Sequence, residues 1–239
     1  MSGLMSGQGV WPAVARPLLA LAALALGAVP ARAQQEQQVL VDRATLAVQE
    51  ILTTGEGNAD TISVLRRARA VIVCPRVFRA GFILGGEGGS CVLVGRDGGG
   101  SWSSPAFYGM GSGSLGFQIG VQDATVMMII MTERGLQAVM TNQFTLGADV
   151  SMAVATVGAG LQGSTTTAAG ADILTVARTR GLFAGLSLSG SVISYRPESA
   201  RAYYGRDVSA RQIVVSMEAH NPGSDPLRAM LMRFGTPGG

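Results

Sequence analysis

The sequence predicts an α+β fold: a single domain whose core is a strand-rich antiparallel sheet or barrel, with helices at its N- and C-terminal ends. Three observations predict it. An amphipathic helical period stands early in the chain, short β-branched runs separated by glycine fill the middle, and helical patterns return at the end. Glycine supplies 34 of the 239 residues, and 14 of these lie between positions 81 and 120. Each would cost a helix about 1 kcal/mol relative to alanine, so that stretch reads as strand, with glycine serving turns, bulges and close backbone approach.

The N-terminal residues read as a targeting segment. Arg16 precedes an apolar run over 17–30, Ala31-Arg32-Ala33 follows, and the composition then changes at once to Gln34-Gln35-Glu36-Gln37-Gln38. A positive start, a short apolar stretch and an A-x-A site make up a secretory signal peptide. The run is shorter than the ~20 residues that cross a bilayer. Residues 1–33 are therefore expected to be a signal peptide cleaved after Ala33, with an uncleaved N-terminal anchor as the alternative. The mature chain is then exported to a bacterial periplasm or secreted. No cysteine stands at the cleavage point to carry a lipid.

The mature domain spans 34–235. Residues 38–52 place Leu40, Ala44, Ala47, Val48 and Ile51 on one helical stripe, ended by Gly55 and Gly57. Asp60 caps a second helix reaching Arg67. Strands are expected over 70–74, 81–84, 91–94, 117–121 and 126–132. A brief helix capped by Thr132 runs to Met140, and strands resume over 144–146, 150–157, 173–176 and 182–195. Residues 164–170 are small and polar and read as a loop. Pro197 opens a helix over 199–204, two more follow over 209–217 and 225–233, and 236–239 is a disordered tail.

Composition removes most familiar chemistries. All 18 basic residues are arginine, so a Walker phosphate loop and a Schiff-base lysine are excluded. One histidine and two cysteines cannot build a usual zinc site, and no cofactor or metal is expected. Gly111, Gly113 and Gly116 match a dinucleotide fingerprint, but the residues after them alternate like a strand where that motif needs a helix. His220 adjoins the turn Asn221-Pro222-Gly223, and no G-x-S-x-G elbow accompanies it. A hydrolase around Asp149 or His220 is the weakest of the readings weighed, and the chain is expected not to be an enzyme. Removing 1–33 leaves 16 arginines against 15 acids, which speaks against nucleic acid as a partner.

Cys74 and Cys91 both sit in apolar strand-like runs. In an oxidising compartment they form a disulfide, and otherwise they are two small buried hydrophobes. Sequence does not supply the Cα separation that decides between these.

One charge pattern stands out. No acid occurs from Thr61 to Gly86, while Arg66, Arg67, Arg69, Arg76 and Arg79 do; a second acid-free stretch over 173–197 holds Arg178, Arg180 and Arg196. Guanidinium groups match phosphate oxygens in a planar fork. The run from Arg67 to Gly86 resembles the opening of the SYLF domain, a lipid-binding family. Residues 102–107, 116–120, 146–149 and 181–185 with Gly190-Ser191 resemble further parts of it, and Tyr203-Tyr204-Gly205 resembles its closing motif. The resemblance covers nearly all of 38–217. It implies a phospholipid-binding module, often a phosphoinositide-binding one, which in eukaryotes also serves membrane-remodelling adaptors as an actin-binding unit. Val176 departs from the aromatic residue expected before the second basic pair.

The expected function is thus non-enzymatic binding of anionic phospholipid head groups, phosphoinositide-like or phosphatidylglycerol and cardiolipin. The binding surface is expected to use Arg66, Arg67, Arg69, Arg76, Arg79, Arg178 and Arg180, in a peripherally membrane-associated protein. The alternative is a structural or protein-interaction module of the cell envelope, with an envelope protein as partner and no specific lipid.

Overall fold

From Val41 onward, the first helix buries Val41, Ala44, Ala47, Val48, Ile51 and Leu52, a spacing of three and four residues that lays one stripe against a partner. This helix, α1 (Ala28–Thr53), is longer than the 38–52 expected. It crosses β1 (Ala70–Gly81) and β2 (Leu84–Gly95) and packs on two C-terminal helices, α4 (Pro197–Tyr204) and α6 (Asp225–Gly235). The structure is a computed structural model that describes residues 28–54, 58–81, 84–115, 120–156, 170–181 and 188–236.

Six more strands complete one sheet: β3 (Ala106–Leu115), β4 (Gly120–Ile130), β5 (Gln143–Thr145), β6 (Met152–Thr156), β7 (Ile173–Gly181) and β8 (Val192–Tyr195). Their order is β5-β8-β3-β2-β1-β4-β7-β6 in a curled, half-barrel sheet. Every described strand pair is antiparallel, as expected of the sheet, except β6–β7 at its edge. The remaining α-helices among the described residues are α2 (Asn58–Leu65), α3 (Glu133–Val139) and α5 (Ala210–Val214). β1 lies mid-sheet and is covered on both faces, so Val71, Ile72, Val73 and Cys74 are all buried. That explains its unbroken apolar run.

β1 is far longer than the 70–74 expected, because it continues through Pro75. Proline has no N–H for the ladder and is tolerated in a strand at a bulge. The register of β1 slips against both neighbours between Val73 and Val77, and the Pro75 carbonyl accepts a hydrogen bond from Thr125 Oγ1 at 3.2 Å. Cys74 and Cys91 meet at this bulge in a disulfide, with Cα atoms 4.1 Å apart. Of the two alternatives the sequence left open, the structure takes the bridge.

β3 was not expected as a strand. Its glycines face those of β2, with Gly88 opposite Gly111 and Gly86 opposite Gly113, so they lie inside the ladder rather than at turns. Elsewhere glycine does permit close approach: a Cβ on Gly95 would stand 2.4 Å from Val214 Cγ1, where α5 lies on the sheet. The expected loop at 164–169 and the expected strand residues 117–119 and 182–187 lie outside the described residues.

At the other end of β4, Thr132 caps α3 as expected, accepting from Gly135 N at 3.0 Å. Its hydroxyl also donates to the buried carboxylate of Asp172 at 2.5 Å. Ser151 adds a hydroxyl donor at 2.7 Å and an amide donor at 3.2 Å. These hydrogen bonds hold the Asp172 carboxyl below its ordinary value, Thr132 contributing most. One carboxylate thereby ties α3, β6 and β7 together.

Candidate functional site: the groove between helix α1 and the sheet

Past the bulge, side chains of β1 alternate between faces. Arg76 and Phe78 point to the face that α1 crosses, while Val77 and Arg79 point to the other. Cross-strand partners share a face, and Phe78 is paired with Asp123 on β4. Arg76 grips Asp123 with two hydrogen bonds, Nε to Oδ1 at 2.7 Å and Nη2 to Oδ2 at 3.1 Å. This bidentate fork and the attached negative charge push the Arg76 guanidinium above its ordinary value. The same guanidinium lies over the Phe78 ring, 5.6 Å from its centre.

Next along the sheet, Thr125 is paired with Arg178 on β7. Arg178 Nη1 donates to Thr54 Oγ1 at 2.7 Å and stands 3.3 Å from Glu50 Oε1 of α1. Arg43, Leu46, Ala47 and Glu50 of α1 close the other wall. The result is an open groove of about 460 Å³, in which Arg43, Arg76 and Arg178 face two carboxylates, Glu50 and Asp123. It carries one net positive charge. Leu46 is 64%, Val121 56% and Phe78 41% exposed. Val121 is paired with Ala80, on the Phe78 face. Exposed apolar side chains thus share this face with the guanidinium groups, Leu46 in the groove lining itself.

The structure does not gather all seven sequence-chosen arginines on one surface. Arg76 and Arg178 meet in the groove. Arg66, Arg67 and Arg69 are exposed at the opposite end of β1, about 20 Å away at ~3.3 Å per strand residue. There Arg69 pairs with Glu133 at 3.2 Å, and the Arg66 carbonyl accepts from Arg96 Nη1 at 2.6 Å. Arg79 turns to the far face, where its Nε stands 3.9 Å from Glu87 Oε2. Arg180 is paired with Asp123 in the β4–β7 register, and its side chain lies outside the described residues. The segments chosen for lacking acid therefore supply arginines whose carboxylate partners come from elsewhere in the chain.

Arg43 was missed by the sequence reading. It sits beside Asp42, outside any acid-free run, and only the helical period that places 43, 46, 47 and 50 together could have found it.

Residues of the closing motif are structural. Tyr203 is buried edge-on to Phe107, with centroids 5.1 Å apart, Tyr204 donates to the Pro105 carbonyl at 2.7 Å, and Gly205 ends α4 at φ 70°. Burial raises both phenols well above their ordinary range.

His220 Nδ1 lies 3.3 Å from Ser104 Oγ and Nε2 3.8 Å from Asp225 Oδ1. Ser104 is buried and also contacts Ser224 Oγ at 3.1 Å, so its hydroxyl is not presented to a substrate. Asp149 Oδ2 accepts from Thr145 N at 2.6 Å in a turn. No cluster of metal-ligating side chains occurs among the described residues, and no described helix is long and apolar enough to cross a membrane.

Comparison with known proteins bears on this arrangement. Residues 111–234, just over half of the chain, match the model of the Ysc84 family, described as "Las17-binding protein actin regulator". The SH3 domain-containing YSC84-like protein 1 of Xenopus laevis is 35% identical over 145 residues, covering 60% of this chain and 43% of that protein. Its Homo sapiens counterpart is 33% identical over 152 residues, 63% of this chain and 44% of that protein. LAS seventeen-binding protein 3 of Saccharomyces cerevisiae is 30% identical over 171 residues, 70% of this chain and 37% of that protein. The chain thus spans less than half the length of these relatives. No solved structure matches it. The match over β3 to α6, in a chain that carries the SYLF motifs in order, shows that this chain belongs to the Ysc84 family.

Proposed function

We propose that the chain is a non-catalytic binding module that takes anionic phospholipid head groups in the groove between α1 and the sheet. The observation that carries this reading is the convergence of Arg43, Arg76 and Arg178 on one open groove lined by exposed Leu46, with exposed Phe78 and Val121 on the same sheet face. Arg76 already presents its fork to a carboxylate, and a phosphate offers the same planar pair of acceptors. Near an anionic bilayer each such cation contributes about 1 kcal/mol. These exposed apolar side chains suit the interface, where rings and aliphatic side chains rest beneath the head groups. Arg66, Arg67 and Arg69, at the other end of β1, play a lesser part in this reading.

Vesicle co-sedimentation tests it. Binding is expected to phosphatidylglycerol-containing vesicles over neutral ones, and to weaken as salt shortens the Debye length toward about 8 Å at 0.15 M. Equal binding to both vesicle types without a salt effect overturns it.

The signal-peptide pattern supports an exported, peripherally membrane-associated protein. Cleavage after Ala33 would leave the part of α1 that holds its buried stripe, which begins at Val41. Mass spectrometry of the protein recovered from its cell envelope tests this, with an N-terminus at Gln34 expected.

A second reading is favoured by the relatives' names, which describe Las17 binding: the same domain recognises a protein partner. A pull-down in which a groove-neutralised variant captures the same partner as the wild-type chain would favour it over the lipid reading.

A further inference from the structure

On the sheet face opposite α1, three adjacent strands bring Gln122, Arg79 and Glu87 side by side. Arg79 is the direct partner of Glu87 on β2 and of Gln122 on β4. Opposed residues share a face, and strand spacing of ~4.8 Å makes this row about 10 Å wide. Gln122 is 1% exposed, and neither its Oε1 nor its Nε2 has a hydrogen-bond partner. The Glu87 side chain is also 1% exposed. Ser191 Oγ donates to its Oε1 at 2.7 Å, while its Oε2 has no hydrogen-bond partner. The 3.9 Å gap from Arg79 Nε to that oxygen is too long for a hydrogen bond. The other buried polar atoms without partners among the described residues, Trp102 Nε1 and Thr175 Oγ1, belong to different parts of the fold.

A buried polar atom without a partner keeps its full desolvation penalty, and native interiors meet such atoms with water or a bound molecule. Here three unmet atoms on two residues flank one guanidinium. We propose that this row is a binding site for a small, uncharged, hydroxyl-rich molecule of the polyol or monosaccharide class. Charge selects the class. Arg79 and Glu87 cancel, so an anion is opposed by Glu87 and a cation by Arg79. Hydrogen bonding narrows it further: Glu87 Oε2 and Gln122 Oε1 need donors, whereas Gln122 Nε2 needs acceptors. A hydroxyl serves both needs at once. The site lies on the sheet face opposite α1. It shares no residue with the groove, so the two assignments stand or fall separately.

Water offers the same hydroxyl chemistry, and the test separates the two sources. The full chain, labelled with ¹⁵N, is titrated with glycerol and with D-glucose while the Gln122 side-chain amide is followed by NMR. Thermal midpoints are recorded in parallel for wild type, Gln122→Leu and Glu87→Gln. The expected result is a saturable shift of the Gln122 amide with at least one of the two compounds. A saturable rise in midpoint should accompany it, in excess of the linear rise that polyols give by exclusion from protein surface. Gln122→Leu, close in volume, is expected to keep only the linear part. Glu87→Gln is expected to bind at least 10-fold more weakly, and it serves alone if the leucine variant does not fold. Absence of any saturable shift or midpoint response with both compounds overturns the proposal and leaves ordered water at the row.

Discussion

Arg76 and Arg79 stand three residues apart on one strand, yet they have opposite surroundings. The Arg76 side chain is 63% exposed and holds Asp123 in a fork beside an open groove. The Arg79 side chain is 17% exposed and faces a carboxylate that is 1% exposed. An odd spacing on a strand sends two side chains to opposite faces, and the bulge at Pro75 sets which face each one takes. An exposed ion pair in water costs little to open, and the Arg76–Asp123 pair is of that kind. The other guanidinium accompanies a buried charge, and its loss strands that charge. Equal residues in one run of sequence therefore divide into one beside an open groove and one set against a buried carboxylate.

The largest test of this division is stability. Arg79→Ala is expected to lower the unfolding free energy by about 3 kcal/mol, because Glu87 is left buried without a counter-charge. Arg76→Ala should cost less than about 1 kcal/mol. Urea denaturation of both variants reads the contrast, and equal losses would erase it.

The bulge itself can be probed. Cys74→Ser with Cys91→Ser removes the disulfide beside it and should cost about 3 kcal/mol for a loop of this length. Oxidised and reduced wild-type chains compared in urea give the same quantity without mutation. A difference near zero would mean that strand pairing alone holds this register.

A smaller effect contrasts two buried carboxylates. Glu87 has one oxygen unmet, whereas Asp172 is satisfied by Thr132 and Ser151. The Asp172 carboxyl is held below its ordinary value in the folded chain, so its charged form stabilises the fold above the unfolded carboxylate range, near pH 4. That stability is lost as pH falls through the folded value. Asp172→Asn is expected to cost about 1–2 kcal/mol at pH 7, with the difference from wild type shrinking in denaturation series carried below about pH 4.

Much of the fold was legible because burial leaves a period behind. The stripe at Ala44, Ala47, Val48 and Ile51 marked α1, and the Thr132 cap marked the start of α3. β3 was hidden for a physical reason: a strand whose alternate positions are glycine, facing glycines across the ladder, shows no apolar alternation. β1 was cut short at Pro75 because a proline ordinarily ends a strand unless a bulge accommodates it. The site was half legible. Arg76 and Arg178 were selected by the absence of nearby acids in sequence, a criterion blind to Asp123 and Glu50, which arrive through β4 and α1. It was equally blind to the face each arginine takes, which depends on a one-residue slip.

The smallest expected effects are those of single groove arginines on membrane binding, about 1 kcal/mol or 5-fold each. Their sum is the most direct measurement of the central claim. Arg43→Gln, Arg76→Gln and Arg178→Gln combined, set beside Arg66→Gln, Arg67→Gln and Arg69→Gln combined, should be compared on phosphatidylglycerol vesicles at fixed ionic strength. The groove variant is predicted to bind on the order of 100-fold more weakly than wild type, while the strand-end variant loses less than about 10-fold. A groove variant that binds as wild type does, or a strand-end variant that loses more, contradicts the account.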